Sequence, residues 1–192
     1  MKKSLIAGHM AFMALALNVA PLFAQETAPS VQVSPVILQQ VEKQADEALQ
    51  RLYERVKDSK ELVSKSRGVL IMPEVVAGGA ILGVEYGRGV LRTEDGAHTY
   101  YNLITGSIGA KLGMEKKTVV LLFLTQEALD RFRNGQGWTA GIDGSVTIAT
   151  KGVAGNLDTN TARSGIVGYV VTNKGLMLDA SLTGGRFTKV AL

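Results

Sequence analysis

The clearest indication of the architecture is the sequence Val90-Leu91-Arg92-Thr93-Glu94-Asp95-Gly96-Ala97-His98-Thr99-Tyr100-Tyr101-Asn102. Strand-forming residues make up most of both halves, and Asp95-Gly96 lies between them. Glycine tolerates the positive φ that a primed hairpin turn requires, so an Asp-Gly pair in this setting is a strong short-range hairpin signal. The stretch therefore predicts two antiparallel strands joined by a tight turn at Asp95-Gly96.

Short apolar runs continue on both sides of this hairpin. Upstream, residues 69–72 predict a short strand that ends at Pro73, and a glycine-rich segment, 75–89, separates it from the hairpin. Downstream, residues 117–124 are apolar at nearly every position past their start. That run predicts a strand covered on both faces.

Three further segments complete the predicted β body. Residues 138–149 alternate apolar and polar side chains, which predicts a long half-buried strand. Residues 166–171 and 176–182 predict a strand pair around the turn at 173–175, after a polar loop at 156–164. Most of the 22 glycines fall at bends and turns of this body. We therefore expect a curved antiparallel sheet or a partial barrel.

Two helices are predicted before the sheet. Ser34-Pro35 predicts a helix start, because the hydroxyl can cap free amides and proline suits the first helical position. The apolar spacing of residues 36–56 predicts an amphipathic helix of roughly six turns. Asp58-Ser59 predicts a second helix through Ser66, with Gly68 as its left-handed end.

A third, short helix is expected near residues 126–134, capped by Thr125. The predicted fold class is α+β, with amino-terminal amphipathic helices packed on a curved, glycine-rich antiparallel sheet or partial barrel. We expect residues 35–192 to form a single domain, with a helical front at 35–67 and a mainly β body at 68–192.

The amino terminus has the layout of a secretory signal peptide. Lys2-Lys3 precede an apolar run at residues 5–19, and a small residue, Ala24, comes before a change to polar sequence. We expect residues 1–24 to be removed by cleavage after Ala24, and residues 25–34 to form a polar tether. The expected location is the periplasm or cell envelope.

Composition excludes several kinds of chemistry. The 192 residues contain no cysteine, so a disulfide framework, a thiolate zinc site and a cysteine nucleophile are all excluded. The full chain has 21 basic and 17 acidic residues, a net charge of +4. Without the leader, 19 basic minus 17 acidic residues leaves +2, and no nucleic-acid partner is expected.

Catalytic and cofactor motifs are not recognisable in the sequence. His98 is the one histidine after the leader, and no G-x-S-x-G elbow presents a nucleophile to it. Residues 78–83 superficially resemble a phosphate-binding glycine loop but lack its Lys-Ser/Thr ending. Acidic residues are scattered without the spacing of a metal site. We expect no enzymatic activity, no cofactor and no metal, and we interpret His98 as a partly exposed strand residue.

Basic residues near predicted turns and strand ends are the candidates for a binding site. Each can be read as ordinary solvated charge, but gathered on one side of a curved sheet they could hold anionic lipid head groups. The first helix could dock on the sheet or lie in a membrane interface, and its mixed charges favour docking. The candidate lipid-binding residues are Lys116, Lys117, Lys111, Arg88, Arg131 and Lys174.

A series of sequence blocks, taken in order, carries a resemblance to a known family. The blocks are Ser66-Arg67-Gly68-Val69-Leu70-Ile71-Met72-Pro73, 83–91, 100–102, 116–118, 122–125, 128–132, Gly137-Trp138, 165–168 and 173–177. Together they cover roughly residues 45–190 and resemble the SYLF domain family.

The resemblance implies binding of phosphoinositides and other anionic lipids, and no enzymatic activity. In fungal members it also implies binding and bundling of actin filaments. If the source is a bacterium, cytoplasmic actin is not an expected partner of an exported chain, which leaves ordinary anionic phospholipids or an envelope component. Lys116 and Lys117 fall in one of the matching blocks.

Two functions follow from these observations. The first is an exported, non-enzymatic module that engages anionic phospholipid, phosphoinositide-like head groups through basic residues. The alternative is an envelope structural protein that binds a protein partner through its first helix or its sheet surface.

Overall fold

A computed structural model describes residues 33–78, 82–108, 115–149 and 165–192. The chain divides into two compact units, Met1–Ser30 and Val31–Leu192, and every described residue lies in the second. The helices are α1 (Pro35–Arg55), α2 (Ser59–Ser64) and α3 (Gln126–Arg133). The strands are β1 (Gly68–Gly78), β2 (Leu82–Thr93), β3 (His98–Ile108), β4 (Glu115–Phe123), β5 (Trp138–Thr139), β6 (Thr147–Ile148), β7 (Ile166–Thr172), β8 (Gly175–Leu176) and β9 (Arg186–Lys189).

The strands form one strongly curled sheet, a half-barrel, against which the amino-terminal helix packs. Their order is β5-β9-β3-β2-β1-β4-β7-β6, and β8 pairs with β7. Antiparallel pairing was predicted throughout, and one pair differs: β6 runs parallel to β7. The predicted α+β class, with helix packed on a curved sheet, is confirmed.

The hairpin at residues 90–102 is confirmed, but its turn is not the predicted primed type. The Gly96 amide donates to the Thr93 carbonyl at 2.9 Å, and the Thr93 amide donates to the Ala97 carbonyl at 3.2 Å. Gly96 has a φ of 77°, whereas Asp95 keeps a negative φ. Both kinds of primed turn need positive φ at the first central residue, here Asp95, so this is a three-residue loop with a glycine bulge. The Asp95 carboxylate stabilises it by accepting from the Ala97 amide at 3.1 Å.

Strand β1 continues through Pro73, so the prediction that the strand ends there is wrong. The pairing of β1 shifts register between Ile71 and Glu74 on the β2 side, and between Met72 and Val75 on the β4 side. Proline lacks the amide hydrogen of a ladder residue, and a bulge removes that requirement in a central strand.

The helices follow the predicted pattern, but not in every cap. Asp58 precedes α2 with a left-handed φ of 68° and makes no side-chain capping hydrogen bond. Pro35 is the first residue of α1, but the Ser34 side chain makes no capping hydrogen bond. Helix α2 ends at Ser64, short of the predicted Ser66, and Gly68 begins β1 without a left-handed backbone. For α3 the predicted cap is confirmed, since the Thr125 hydroxyl accepts from the Ala128 amide at 3.2 Å.

The predicted long strand at residues 138–149 is wrong. Only its two ends are strands, β5 and β6, and a turn separates them. The Asp143 carboxylate accepts from the Thr139 amide at 2.7 Å, and Gly141 takes a φ of 84°. The predicted pair around residues 173–175 is confirmed as β7 and β8, although β8 has two residues. The predicted loop at 156–164 lies outside the described residues.

The sheet buries apolar side chains on both faces. One face, here called the core face, packs α3 and a group of aromatic rings around Phe132, whose centroid lies 4.8 Å from Tyr101 and 4.9 Å from Phe123. The opposite face, here called the helix face, is partly covered by α1, which buries Val41, Ala45, Ala48 and Leu52 there. Strand β4 is buried from Lys117 to Phe123, which confirms the predicted two-sided burial.

Candidate functional site

Helix α1 is fastened to the helix face along one side by a cluster of polar groups. Arg92 of β2 lies 2.6 Å from a Glu42 oxygen and 2.6 Å from an Asp46 oxygen. The second Glu42 oxygen lies 2.8 Å from His98 Nδ1 and accepts from the Tyr100 hydroxyl at 2.9 Å. We call these five residues the anchor cluster.

The anchor cluster perturbs the ionisation of its carboxylate. Burial alone would raise the pKa of Glu42, but hydrogen bonds from Arg92, Tyr100 and His98 outweigh it and hold that pKa below the ordinary value of 4.5. Glu42 is therefore held in its charged form. His98 is partly exposed, as expected, and its carboxylate neighbour is engaged by three groups.

The opposite side of α1 carries different chemistry. A cavity of about 300 Å³ lies between the last two turns of α1 and strands β1, β4 and β7. The exposed charged side chains that line it are Arg51, Arg55, Lys116 and Glu74. Arg55 donates to the Thr172 carbonyl at 2.5 Å, and in the described part of the chain it forms no ion pair.

A second cavity, of about 320 Å³, lies beside the first turns of α1. Ile37 and Gln44 line it from the helix, and Tyr86 and Arg88 line it from the sheet. Glu74 borders both cavities and lies 3.0 Å from Lys116 Nζ. The two cavities follow one side of α1, and we call this side, with the sheet surface beside it, the open flank.

One line of paired residues crosses the open flank. Direct cross-strand partners share a face of a sheet, and the register joins Lys116 to Val76, Val76 to Tyr86, Tyr86 to Ile104, and Ile104 to Arg186. We call these five residues the cross-strand row. Its two ends are cationic and its three middle residues are apolar or aromatic. Tyr86 and Ile104 are 45% and 52% exposed, so the middle of the row is open to solvent.

The tyrosine of the row is held in place by neighbours on the next line of pairs. Its hydroxyl donates to the Asn102 side-chain oxygen at 3.2 Å and accepts from Arg88 at 3.1 Å. Arg88 also donates to Asn102 at 2.9 Å. These bonds fix the ring on the surface of the sheet.

The structure brings together only some of the predicted site residues. Lys116 and Arg88 lie on the open flank. Lys174 follows Asn173, which lines the first cavity together with Arg55. Arg131 lies apart from them on α3, 3.7 Å from Glu127. Lys111 lies outside the described residues.

Lys117 occupies a different environment from its sequence neighbour. Its side chain is 8% exposed, and its Nζ lies 2.7 Å from a carboxylate oxygen of Glu85, itself 7% exposed. Because successive strand residues point to opposite faces, Lys117 projects to the core face while Lys116 projects to the open flank. Lys117 also lines the first cavity, but its ammonium is held in the buried pair with Glu85.

Arg51 and Arg55 are the functional candidates that the sequence reasoning missed. They lie four residues apart on α1 and share one side of it, where both line the first cavity. That spacing was a usable signal. It was not decisive, since only the fold shows that this side of α1 faces the end of β4.

Two features are absent from the described ranges. No helix there has the length and apolar character needed to cross a membrane. No group of three or more histidine or acidic side chains there is placed to hold a metal ion.

The fold is thus that of an α+β module with a helix laid along a half-barrel sheet. Residues 104–191 match the model of the Ysc84 family, described as Las17-binding protein actin regulator, and this confirms the resemblance to the SYLF family over those residues. The chain is also similar to beta cell expansion factor A of Aeromonas veronii, with 28% identity over 144 residues, 74% of this chain and 53% of the relative. The chain therefore spans about half the length of that relative.

Proposed function

We propose that the protein is an exported, non-enzymatic module that binds anionic phospholipid head groups at the open flank of α1. The Ysc84/SYLF family is associated with lipid and actin binding. Of these two activities we assign lipid binding to this chain, because the described cations gather beside a cavity of head-group size. Export rests on the leader at residues 1–24, with cleavage after Ala24 into the periplasm or cell envelope.

The observation that carries the proposal is the cavity lined by Arg51, Arg55 and Lys116. Guanidinium groups present forked donors that match phosphate oxygens, and a lysine adds a compact point charge. Among the described residues, Arg55 is engaged by a neutral carbonyl alone, so its charge is available to an anion. Basic side chains contribute about 1 kcal/mol each near an anionic bilayer.

Two carboxylates oppose this cationic set. Glu47 lies 3.9 Å from Arg51 in an exposed pair along α1. Glu74 holds Lys116 at 3.0 Å and borders the cavity. Both side chains are exposed, so the pair is weak and can exchange for a phosphate. The phosphate of a head group in the cavity would replace Glu74 as the ion-pair partner of the Lys116 ammonium.

The test is sedimentation of the purified chain with vesicles. We expect recovery with phosphatidylglycerol or cardiolipin vesicles, little recovery with purely phosphatidylcholine vesicles, and weaker binding as salt rises. Replacing Arg55→Glu should weaken binding about tenfold, since it reverses a charge at the cavity.

The matched control is Arg131→Glu, which changes net charge by the same amount on an exposed residue of α3. We expect it to leave vesicle binding nearly unchanged. Equal weakening by both variants would show that net charge, and not the open flank, drives binding. Equal recovery with zwitterionic vesicles, or none with either kind, would contradict the proposal itself.

A further inference from the structure

The open flank exposes apolar surface that the fold leaves uncovered. Val84, Tyr86 and Ile104 are each about half exposed, at 53%, 45% and 52%, on neighbouring strands at the middle of the sheet. Ile37, at the start of α1, is 42% exposed and lines the second cavity together with Tyr86. Central strands of a sheet normally bury such side chains, so this group requires an explanation.

The backbone around this group keeps it accessible. Val84 pairs with Gly78 on one side and with Gly106 on the other. A Cβ atom added at either glycine would meet no atom within 4 Å. Val84 therefore lies between two positions that carry no side chain, and no described atom crowds either of them. We call Val84, Tyr86 and Ile104 the apolar strip.

Charge surrounds the strip in a definite arrangement. Lys116 and Arg186 end the cross-strand row, and Arg51 and Arg55 lie along the same side of α1. With strands about 4.8 Å apart, the two ends of the row are about 19 Å apart along the sheet. The surface thus places apolar side chains in the middle and long cationic side chains at the margins.

We propose that the apolar strip is a membrane-insertion surface, with Val84, Tyr86 and Ile104 entering the boundary between head groups and acyl chains of an anionic bilayer. This rests on the proposed lipid binding and specifies how the module sits on the lipid. Lysine and arginine extend their charged ends toward phosphates while their stems lie along apolar surface. Tyrosine suits the same depth, because its ring is apolar and its hydroxyl is polar. Anionic lipid complements the charges at both margins.

The first test separates insertion from head-group attraction. At about 1 M salt the Debye length is about 3 Å, so purely electrostatic binding is suppressed. We expect the chain to retain measurable binding to phosphatidylglycerol vesicles under these conditions. The double variant Val84→Ser with Ile104→Ser should lose this salt-resistant part, about tenfold in affinity. Both side chains are exposed, so the fold should persist.

The matched control is Ile142→Ser, because Ile142 is 80% exposed in the turn between β5 and β6. It should bind vesicles like the unchanged chain. If the double variant and the control bind equally well at high salt, the apolar strip does not insert. If every variant then still bound vesicles at low salt, head-group binding would be supported and the insertion surface would be rejected.

The second test uses the absence of cysteine from the chain, which lets one introduced thiol carry a label. Ile104→Cys and Ile142→Cys are each labelled with an environment-sensitive fluorophore and mixed with vesicles containing brominated lipid. We expect a blue shift and quenching at position 104 and neither at position 142. Solvent-like emission at position 104 in the bound state would overturn the insertion surface. A concentration-dependent shift at 104 without vesicles would overturn it in favour of contact between two copies of the chain. No binding at all would overturn both proposals.

Discussion

Gly89 shows how close the strands of this sheet approach at one residue. A Cβ atom built there would lie 2.1 Å from the Ile71 carbonyl oxygen and 2.5 Å from Met72 Sδ. Both atoms belong to the central strand β1, just before its bulge at Pro73. Real Cβ atoms do not approach a carbonyl oxygen so closely, so the position admits glycine alone.

We predict that Gly89→Ala lowers the free energy of unfolding by more than about 2 kcal/mol, because the backbone of β1 or β2 must move. Gly106→Ala is the control, since its added methyl would meet nothing within 4 Å. It should change stability by no more than about 0.5 kcal/mol. Urea denaturation of the two variants checks this, and similar midpoints would contradict the close approach at Gly89.

Lys116 and Lys117 are neighbours in sequence but lie in different environments in the fold. In sequence they are two adjacent cations at the start of a strand, and both were predicted to face lipid. The alternation of the strand places Lys116 on the open flank and Lys117 in a buried pair with Glu85. Which of the two faces outward depends on the register of β4 against β1, and that register comes from strands distant in sequence.

At the scale of an element, α1 has two chemically different sides. Glu42 and Asp46 fasten one side to Arg92, whereas Arg51 and Arg55 border the open flank on the other. The helix thus docks on the sheet through its apolar stripe and its acidic side. Its basic side borders the open flank, where we propose that lipid binds.

The lowered pKa of Glu42 predicts how acid affects this docking. The folded state holds the carboxylate charged more strongly than the unfolded chain does, so its contribution to stability is complete above the ordinary value of 4.5. That contribution is lost as the pH falls through the lowered pKa of the folded state. We expect the melting temperature to fall on acidification below about pH 4, as α1 loses its hold on Arg92.

Glu42→Gln is the variant that isolates this effect. It should lower the melting temperature near neutral pH and show a shallower further decline in acid, because the amide cannot be protonated in this range. Other carboxyl groups with a lowered pKa, Glu61 and Asp95, are present in both proteins and cancel in the comparison. Parallel acid profiles for the two proteins would show that Glu42 does not fasten the helix.

Elements with local causes could be predicted from the sequence, and those with distant causes could not. The Thr125 cap and the amphipathic period of α1 depend on residues within one or two turns, and both are found. Pro73 was misread as a strand end because only the bulged pairing with β2 and β4 accommodates it. Residues 138–149 alternate like a strand, but the Asp143 carboxylate makes a turn that the alternation does not reveal.

At the scale of the whole molecule, the end of the chain completes the sheet. Strand β9 pairs with β3 and also with β5, so it joins segments that are far apart in sequence. Its Phe187 is fully buried, and the ring lies 5.8 Å from Phe132 and 5.9 Å from Trp138. The cationic end of the cross-strand row, Arg186, depends on the same strand.

We predict that Phe187→Ala lowers the free energy of unfolding by about 3–5 kcal/mol, because it leaves a cavity among the core aromatic rings. Leu178→Ala, at a half-exposed leucine just after β8, should cost far less. Chemical denaturation followed by tryptophan fluorescence measures both, since Trp138 contacts the altered site. A loss below about 1 kcal/mol for Phe187→Ala would mean that β9 is not needed to close the core.

Both margins of the sheet are very short. Its order ends in β5 on one side and β6 on the other, and each of these strands has two residues. At these two described margins, an incoming strand from another molecule would find a ladder of only two residues to extend, and very short edge strands are one way in which natural sheets resist polymerisation. The short margins therefore disfavour edge-to-edge association, and the exposed apolar strip on the face of the sheet is the surface for which we propose contact with lipid.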